Sequence, residues 1–217
     1  MIPESLSTRI QRCGLVAVLI IDREEDGPPL AKALLAGGVD VMELTLRTPA
    51  ALGALRRIRA EVPEMLAGAG TVLSPAQIRE ASEAGAEFAV SPGVNPRVLK
   101  AAAEANLPFA PGVATPTDVE AALEHGCSLL KFFPAEPSGG LAYLKAMAAP
   151  YLHLGVRFIP LGGINENNMG AYLTDPLVPA IGGSWLAPRE SIRKARWNDI
   201  AALARHATTT IQSLRHQ

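Results

Sequence analysis

The chain has 217 residues, 48% of them hydrophobic and 19% charged, a balance that excludes a disordered tail or a coiled-coil rod and argues against two domains. α/β barrels run as one domain at this length, so a single domain over residues 1–217 is expected. A net charge of -1 supplies no long-range field for DNA or anionic lipid, so an anionic ligand has to be held by local geometry.

The first residues, MIPESLSTRIQRC, are polar and lack a charged-then-apolar signal pattern. Glu4 to Arg12 within them is amphipathic, and residues 1–13 are expected to form a helix capping one end of the fold. The apolar run Gly14 to Ile21 is far too short to span a bilayer, so a cytoplasmic protein is expected, with no membrane or nucleic-acid partner. Cys13 and Cys127 belong to no CxxC or Cys/His cluster and read as reduced thiols.

From there, short apolar runs alternate with alanine-rich helical stretches. Strands are predicted at Leu15 to Ile21, Val39 to Leu46, Met65 to Gly70, Phe88 to Ser91, Phe109 to Pro111, Leu129 to Phe133, Arg157 to Leu161 and Pro179 to Gly182. Helices are predicted at Pro29 to Ala36, Pro49 to Glu61, Pro75 to Glu83, Pro96 to Glu104, Pro116 to Glu124, Gly140 to Ala149, Glu166 to Leu173 and Asn198 to His216. Thr48-Pro49, Ser74-Pro75, Asn95-Pro96 and Thr115-Pro116 read as polar caps followed by proline, whose missing N–H costs nothing in a first turn. The strands are near-continuous apolar runs, as a parallel sheet covered on both faces requires. Eight such units argue for a closed (β/α)8 barrel, a TIM barrel, over an open doubly wound sheet.

In such a barrel, chemistry sits at the carboxyl ends of the strands. The second strand ends Glu43-Leu44-Thr45-Leu46-Arg47, and its period of two aims Glu43, Thr45 and Arg47 inward together. An internal Glu43–Arg47 ion pair that only fills the barrel is one reading of this end. The sixth strand carries a lone lysine, Lys131, with Phe133 on the same side. A lysine is almost never buried without a partner or a purpose. Read as a snorkelling or ion-paired residue, Lys131 is structural; read as a nucleophile, it must shed its proton, helped by an apolar neighbour such as Phe133 or a cation such as Arg47.

The seventh and eighth strands end in Leu161-Gly162-Gly163 and Gly182-Gly183-Ser184, where exposed backbone amides, with help from a helix N-terminus, suit a phosphate. Gly68-Ala69-Gly70-Thr71 leaves room for close approach, and Thr71 offers a hydroxyl for a carboxylate. Pro92-Gly93 and Pro111-Gly112 read as walls, and Trp185 and Trp197 as packing. His125, His153, His206 and His216 fall in helices or loops, so no catalytic metal and no cofactor is expected.

The segments Glu43-Leu44-Thr45-Leu46-Arg47-Thr48, Gly68 to Leu73, Ser91-Pro92-Gly93, Lys131-Phe132-Phe133-Pro134-Ala135-Glu136 and Gly182 to Trp185 resemble the 2-keto-3-deoxy-6-phosphogluconate (KDPG) and 4-hydroxy-2-oxoglutarate (KHG) aldolase family. The resemblance runs from the first strand to the eighth. It implies a class I, metal-independent aldolase of the Entner-Doudoroff route, commonly a homotrimer, acting on a phosphorylated keto acid. It further implies Lys131 as the Schiff-base lysine, Glu43 as the proton carrier, Arg47 and Thr71 as the grip on the pyruvate carboxylate, Phe133 along the imine and Pro92 at the substrate. Gly162, Gly163, Gly182, Gly183 and Ser184 match the phosphate end. Leu161 departs from the threonine usual in gluconate-specific members, which leaves the galactonate epimer open as the preferred substrate. A phosphosugar isomerase or epimerase working without an imine, and a sensor that binds without turnover, are the competing readings.

Overall fold

The computed structural model describes residues 2–215. Helix α1 (Glu4–Cys13) ends on Gly14, whose φ of 74° and N–H bond to the Ile10 carbonyl turn the chain straight into β1 (Leu15–Leu19). The alternation follows: α2 (Gly27–Ala36), β2 (Val41–Thr45), α3 (Ala51–Glu61), β3 (Leu66–Gly70), α4 (Pro75–Glu83), β4 (Ala89–Val90), α5 (Pro96–Glu104), β5 (Phe109–Ala110), β6 (Gly112–Val113) and α6 (Pro116–Glu124). The rest is β7 (Leu129–Phe132), α7 (Gly140–Ala148), β8 (Arg157–Pro160), α8 (Met169–Leu173), β9 (Ile181–Gly183), α9 (Arg189–Arg193) and α10 (Trp197–Arg215). Short 3-10 helices occupy Glu24–Asp26 and Ala149–Leu154.

Three of the four predicted caps form: Ser74 accepts from the Gln77 N–H, Asn95 from Arg97, and Thr115 makes a reciprocal capping box with Asp118. Thr48 does not cap. Its hydroxyl donates to the Ile21 carbonyl at 2.5 Å, tying the end of β2 to the end of β1, and α3 starts only at Ala51.

Every strand pairing is parallel. The strands form a six-stranded sheet in the order β5-β4-β3-β2-β1-β9 and a three-stranded sheet in the order β6-β7-β8. The predicted fifth strand stops at Ala110 and pairs with β4; after Pro111, which has no N–H to give a ladder, the chain continues past the predicted end as β6, which pairs with β7. One run of chain therefore belongs to both sheets. At the other junction β8 and β9 share no ladder, and the Phe158 N–H donates instead to the Leu177 carbonyl ahead of β9. The architecture is thus an α/β fold of two parallel sheets flanked by helices.

Nearly every strand residue is buried, and one apolar core runs from Ile10 to Ile211. Helix α10 lies across α2 so closely that a Cβ on Gly37 would come within 2.3 Å of Ala204 Cβ, and Thr208 Oγ1 donates to the Gly37 carbonyl there. Helix α8 is shorter than predicted because Asn165 and Asn168 close a side-chain turn before it, and α9 was not anticipated. The predicted end of the last helix at His216 lies outside the described residues. Among the described residues, no helix is long and apolar enough to cross a membrane.

Candidate active site

Glu43 stands in the middle of β2 and Lys131 in β7, on different sheets. Their side chains meet across the interior, with Lys131 Nζ donating to Glu43 Oε1 at 3.3 Å. The lysine is 7% exposed and the glutamate 1%. A charge pair this deep is held only because each partner answers the other. The Glu43–Arg47 pair, one of the readings of this strand end, is not made. Arg47 lies past the end of β2, in a turn closed by its own N–H to the Thr45 carbonyl, and is exposed. Its Nε donates to Thr45 Oγ1 at 3.3 Å, and that hydroxyl donates in turn to the Leu19 carbonyl. The group beside the Lys131 amine is therefore a carboxylate rather than the guanidinium. Phe133 does lie near it, with Nζ 5.4 Å from the ring centroid, and the peptide from Phe133 to Pro134 is cis.

A cleft open to solvent lies over the amine. Its walls come from the carboxyl ends of successive strands: Val18 of β1, Thr45 and Arg47 after β2, Thr71 after β3 and Pro92 after β4. Phe133, Leu161 and Gly162 follow β7 and β8, with Gly182 and Ser184 at β9. A smaller, almost wholly apolar cavity lies beneath, lined by Glu43 together with Ile10, Phe88, Leu129 and Ile159. Ile2 also reaches it, alongside Ile10 of α1, which spans Glu4–Cys13 rather than the whole of residues 1–13. Lys131 and Leu161 line both spaces. The amine sits at the partition, with the carboxylate below it and the cleft above.

The structure brings Arg47, Thr71, Pro92, Phe133, Leu161, Gly162, Gly182 and Ser184 to one cleft. Gly163 and Gly183 do not line it. Gly163 has φ 86° and faces Glu136, where a Cβ would come within 2.5 Å of Glu136 Cβ. Gly183 makes room for Trp185, whose ring would overlap a side chain there at 1.8 Å. Neither glycine pair leads directly into a helix: α8 begins only at Met169 and α9 at Arg189, so the expected helix N-terminus is not at hand. Backbone amides and the exposed Ser184 hydroxyl are what this end offers. Thr71 holds φ 59°, a left-handed backbone uncommon for a β-branched residue. Val18 was not foreseen; the only signal is its place near the carboxyl end of β1, in a strand that otherwise reads as plain core.

Among the described residues, no three His, Cys, Asp or Glu side chains gather as metal ligands. His125 closes α6, His153 lies in a 3-10 helix and His206 in α10; His216 lies outside the described residues. Both cysteines are free and buried, and burial pushes the Cys13 thiol up to about 11.

The family model described as KDPG and KHG aldolase matches residues 6–203. The chain belongs to that family. Among its relatives, the 2-dehydro-3-deoxy-phosphogluconate aldolase of Treponema pallidum is 46% identical over 195 residues, 90% of this chain and 92% of that protein. The KHG/KDPG aldolase of Escherichia coli K12 is 46% identical over 193 residues, 89% and 90% of the two chains. A crystal structure of the KDPG aldolase of Legionella pneumophila, holding pyruvate as a covalent carbinolamine intermediate, superposes with a TM-score of 0.88 at 40% identity, covering 92% of this chain and 96% of that one.

Proposed function

We propose that this family member cleaves 2-dehydro-3-deoxy-6-phosphogluconate to pyruvate and glyceraldehyde 3-phosphate through a Schiff base on Lys131, and splits 4-hydroxy-2-oxoglutarate to pyruvate and glyoxylate by the same steps. The observation that carries it is a buried lysine at the floor of an open cleft, 3.3 Å from a buried carboxylate. The relatives' activities and the carbinolamine of the Legionella enzyme support the same chemistry.

In this scheme the Lys131 amine, having passed its proton to solvent in the cleft, adds to the C2 ketone. The carbinolamine loses water, and the protonated imine becomes an electron sink beside the bond to be broken. Glu43, directly or through one water, takes the C4 hydroxyl proton as the C3–C4 bond breaks. The electron pair moves into the enamine and the aldehyde phosphate leaves. Return of a proton to C3 and hydrolysis of the imine release pyruvate. Arg47, free of any carboxylate partner among the described residues, grips the substrate carboxylate in a bidentate contact, with Thr71 beside it. Ser184 and the backbone at Gly162 and Gly182 take the phosphate, whose remote binding holds the reacting bond in place.

Leu161 lies in the cleft wall beside Lys131, where gluconate-specific relatives usually place threonine, and this favours a second reading with the galactonate epimer as substrate. The reading also takes the two sheets as one closed (β/α)8 barrel forming a single cytoplasmic domain. The strand run shared across Pro111 and the hydrogen bond from Phe158 to Leu177 support closure. A homotrimer is part of the reading by family resemblance, to be checked by light scattering.

Borohydride reduction in the presence of pyruvate is expected to add one pyruvyl group at Lys131 by mass spectrometry, and Lys131→Ala to abolish both adduct and turnover. An active enzyme that never forms the adduct would favour the isomerase or epimerase reading. Binding of the phosphorylated substrate without turnover would favour the sensor. The same preparation, assayed on both C4 epimers beside Leu161→Thr, decides between gluconate and galactonate.

A further inference from the structure

Strand β3 reads Leu66-Ala67-Gly68-Ala69-Gly70 and runs beside β2 with Glu43 opposite Gly68 and Thr45 opposite Gly70. Glycine weakens a strand, so two in one short strand require a reason. Conformation is not the reason, because neither residue has a positive φ and the ladder is regular. Space is. A Cβ on Gly68 would lie 2.6 Å from the Phe88 ring, and one on Gly70 would lie 2.5 Å from Glu43 Oε2 and 2.9 Å from its Cδ. The room left open at Gly70 is occupied by the Glu43 carboxylate.

That carboxylate has few other restraints. Oε1 accepts from Lys131, while Oε2 is buried with no hydrogen-bond partner among the described residues. We propose that Gly70 is a positioning residue for the aldol step: the missing side chain creates the slot that holds the Glu43 carboxylate against the Lys131 amine. The proposal rests on the reading of Glu43 as the proton carrier. A methyl group at this position meets the far end of a side chain rather than backbone, so the strand keeps its register while the carboxylate is displaced. Imine formation, which belongs to Lys131, survives; proton transfer at the substrate carbon, which belongs to Glu43, fails.

The two steps can be read separately on pyruvate. Borohydride trapping reports the imine, and exchange of the pyruvate methyl protons in D2O, followed by NMR, reports proton transfer at the carbon that becomes C3. Gly70→Ala is expected to keep trapping at the wild-type level and to slow exchange about 100-fold, the scale of a lost general base. In a Glu43→Gln background the same change should add nothing, because it acts through the carboxylate. Exchange lost in Glu43→Gln yet intact in Gly70→Ala overturns the role of Gly70 alone. Exchange that survives Glu43→Gln overturns the assignment of Glu43 and this inference with it. Trapping and exchange falling in equal proportion in Gly70→Ala marks a general structural defect and also overturns it. Should Gly70→Ala not fold, combining it with Glu43→Asp, whose shorter side chain draws back from the added methyl, restores folding on this account; a double variant that still fails to fold counts against it.

Discussion

Thr71 is where backbone and chemistry trade against each other most openly. A β-branched residue at φ 59° costs on the order of 1–3 kcal/mol, and glycine adopts that backbone freely. The threonine stands at a position that lines the cleft, where the proposed function has its hydroxyl meet the substrate carboxylate. Thr71→Gly is therefore expected to leave the melting temperature unchanged or higher while raising KM for the keto acid several-fold. A lower melting temperature with KM unchanged would contradict this account. The strand pattern made Glu43 and Lys131 legible as inward-facing charges and left an ion-paired lysine open, without deciding between the glutamate and the arginine as its neighbour. Arg47 satisfies the period-two pattern on paper, yet the chain turns before reaching it, so the guanidinium ends at the rim while the lysine takes the glutamate.

At the scale of elements, the segments between strand and helix are where sequence reading loses its hold. Ser74, Asn95 and Thr115 cap as their pattern promises because capping is local: the donor lies two or three residues away. Thr48 carries the same pattern but finds the Ile21 carbonyl, a partner set by the packing of β1 against β2. Helix α9 was missed for a related reason. Its arginines are held by Asp22, more than half the chain away: Arg189 Nε donates to Asp22 Oδ2 at 2.9 Å and Arg193 Nε at 2.7 Å. Hydrogen bonds from Arg189 and then Arg193 hold the Asp22 carboxyl far below its ordinary value of 3.8. A carboxyl lowered on folding stabilises the protein above its unfolded value, and that contribution fades as pH falls through and below it. Asp22→Asn should accordingly lower the melting temperature at pH 7 and flatten its fall between about pH 5 and pH 2, a window set by the ordinary aspartate value. Matching acid limbs in the two proteins would remove the linkage.

Across the whole molecule, the Lys131–Glu43 pair joins the six-stranded sheet to the three-stranded one at the centre of the core. Such a pair is costly in water-free surroundings, and removing one member leaves an uncompensated charge. Lys131→Met alone should therefore destabilise the fold by roughly 3–5 kcal/mol, whereas Lys131→Met with Glu43→Leu should return stability to the wild-type level or raise it by about 1–4 kcal/mol, in chemical denaturation. Neither variant is expected to turn over substrate. A single variant as stable as the wild type would mean that the pair carries no such cost. On the proposed function, that cost is what keeps the nucleophile beside its proton carrier.

The sequence by itself determined the order of strands and helices, most of their bounds, the end of the fold where chemistry gathers and nearly all the residues that gather there. These follow from periodicity, capping and the exclusion of charge from apolar runs, each of which acts over a few residues. Tertiary structure alone decided which charges pair, that the chain passes from one sheet to the other at Pro111, and that Gly163, Gly183 and Gly70 make room for Glu136, Trp185 and Glu43. Those outcomes depend on which side chains from distant segments compete for the same space, and spacing along the chain does not encode that.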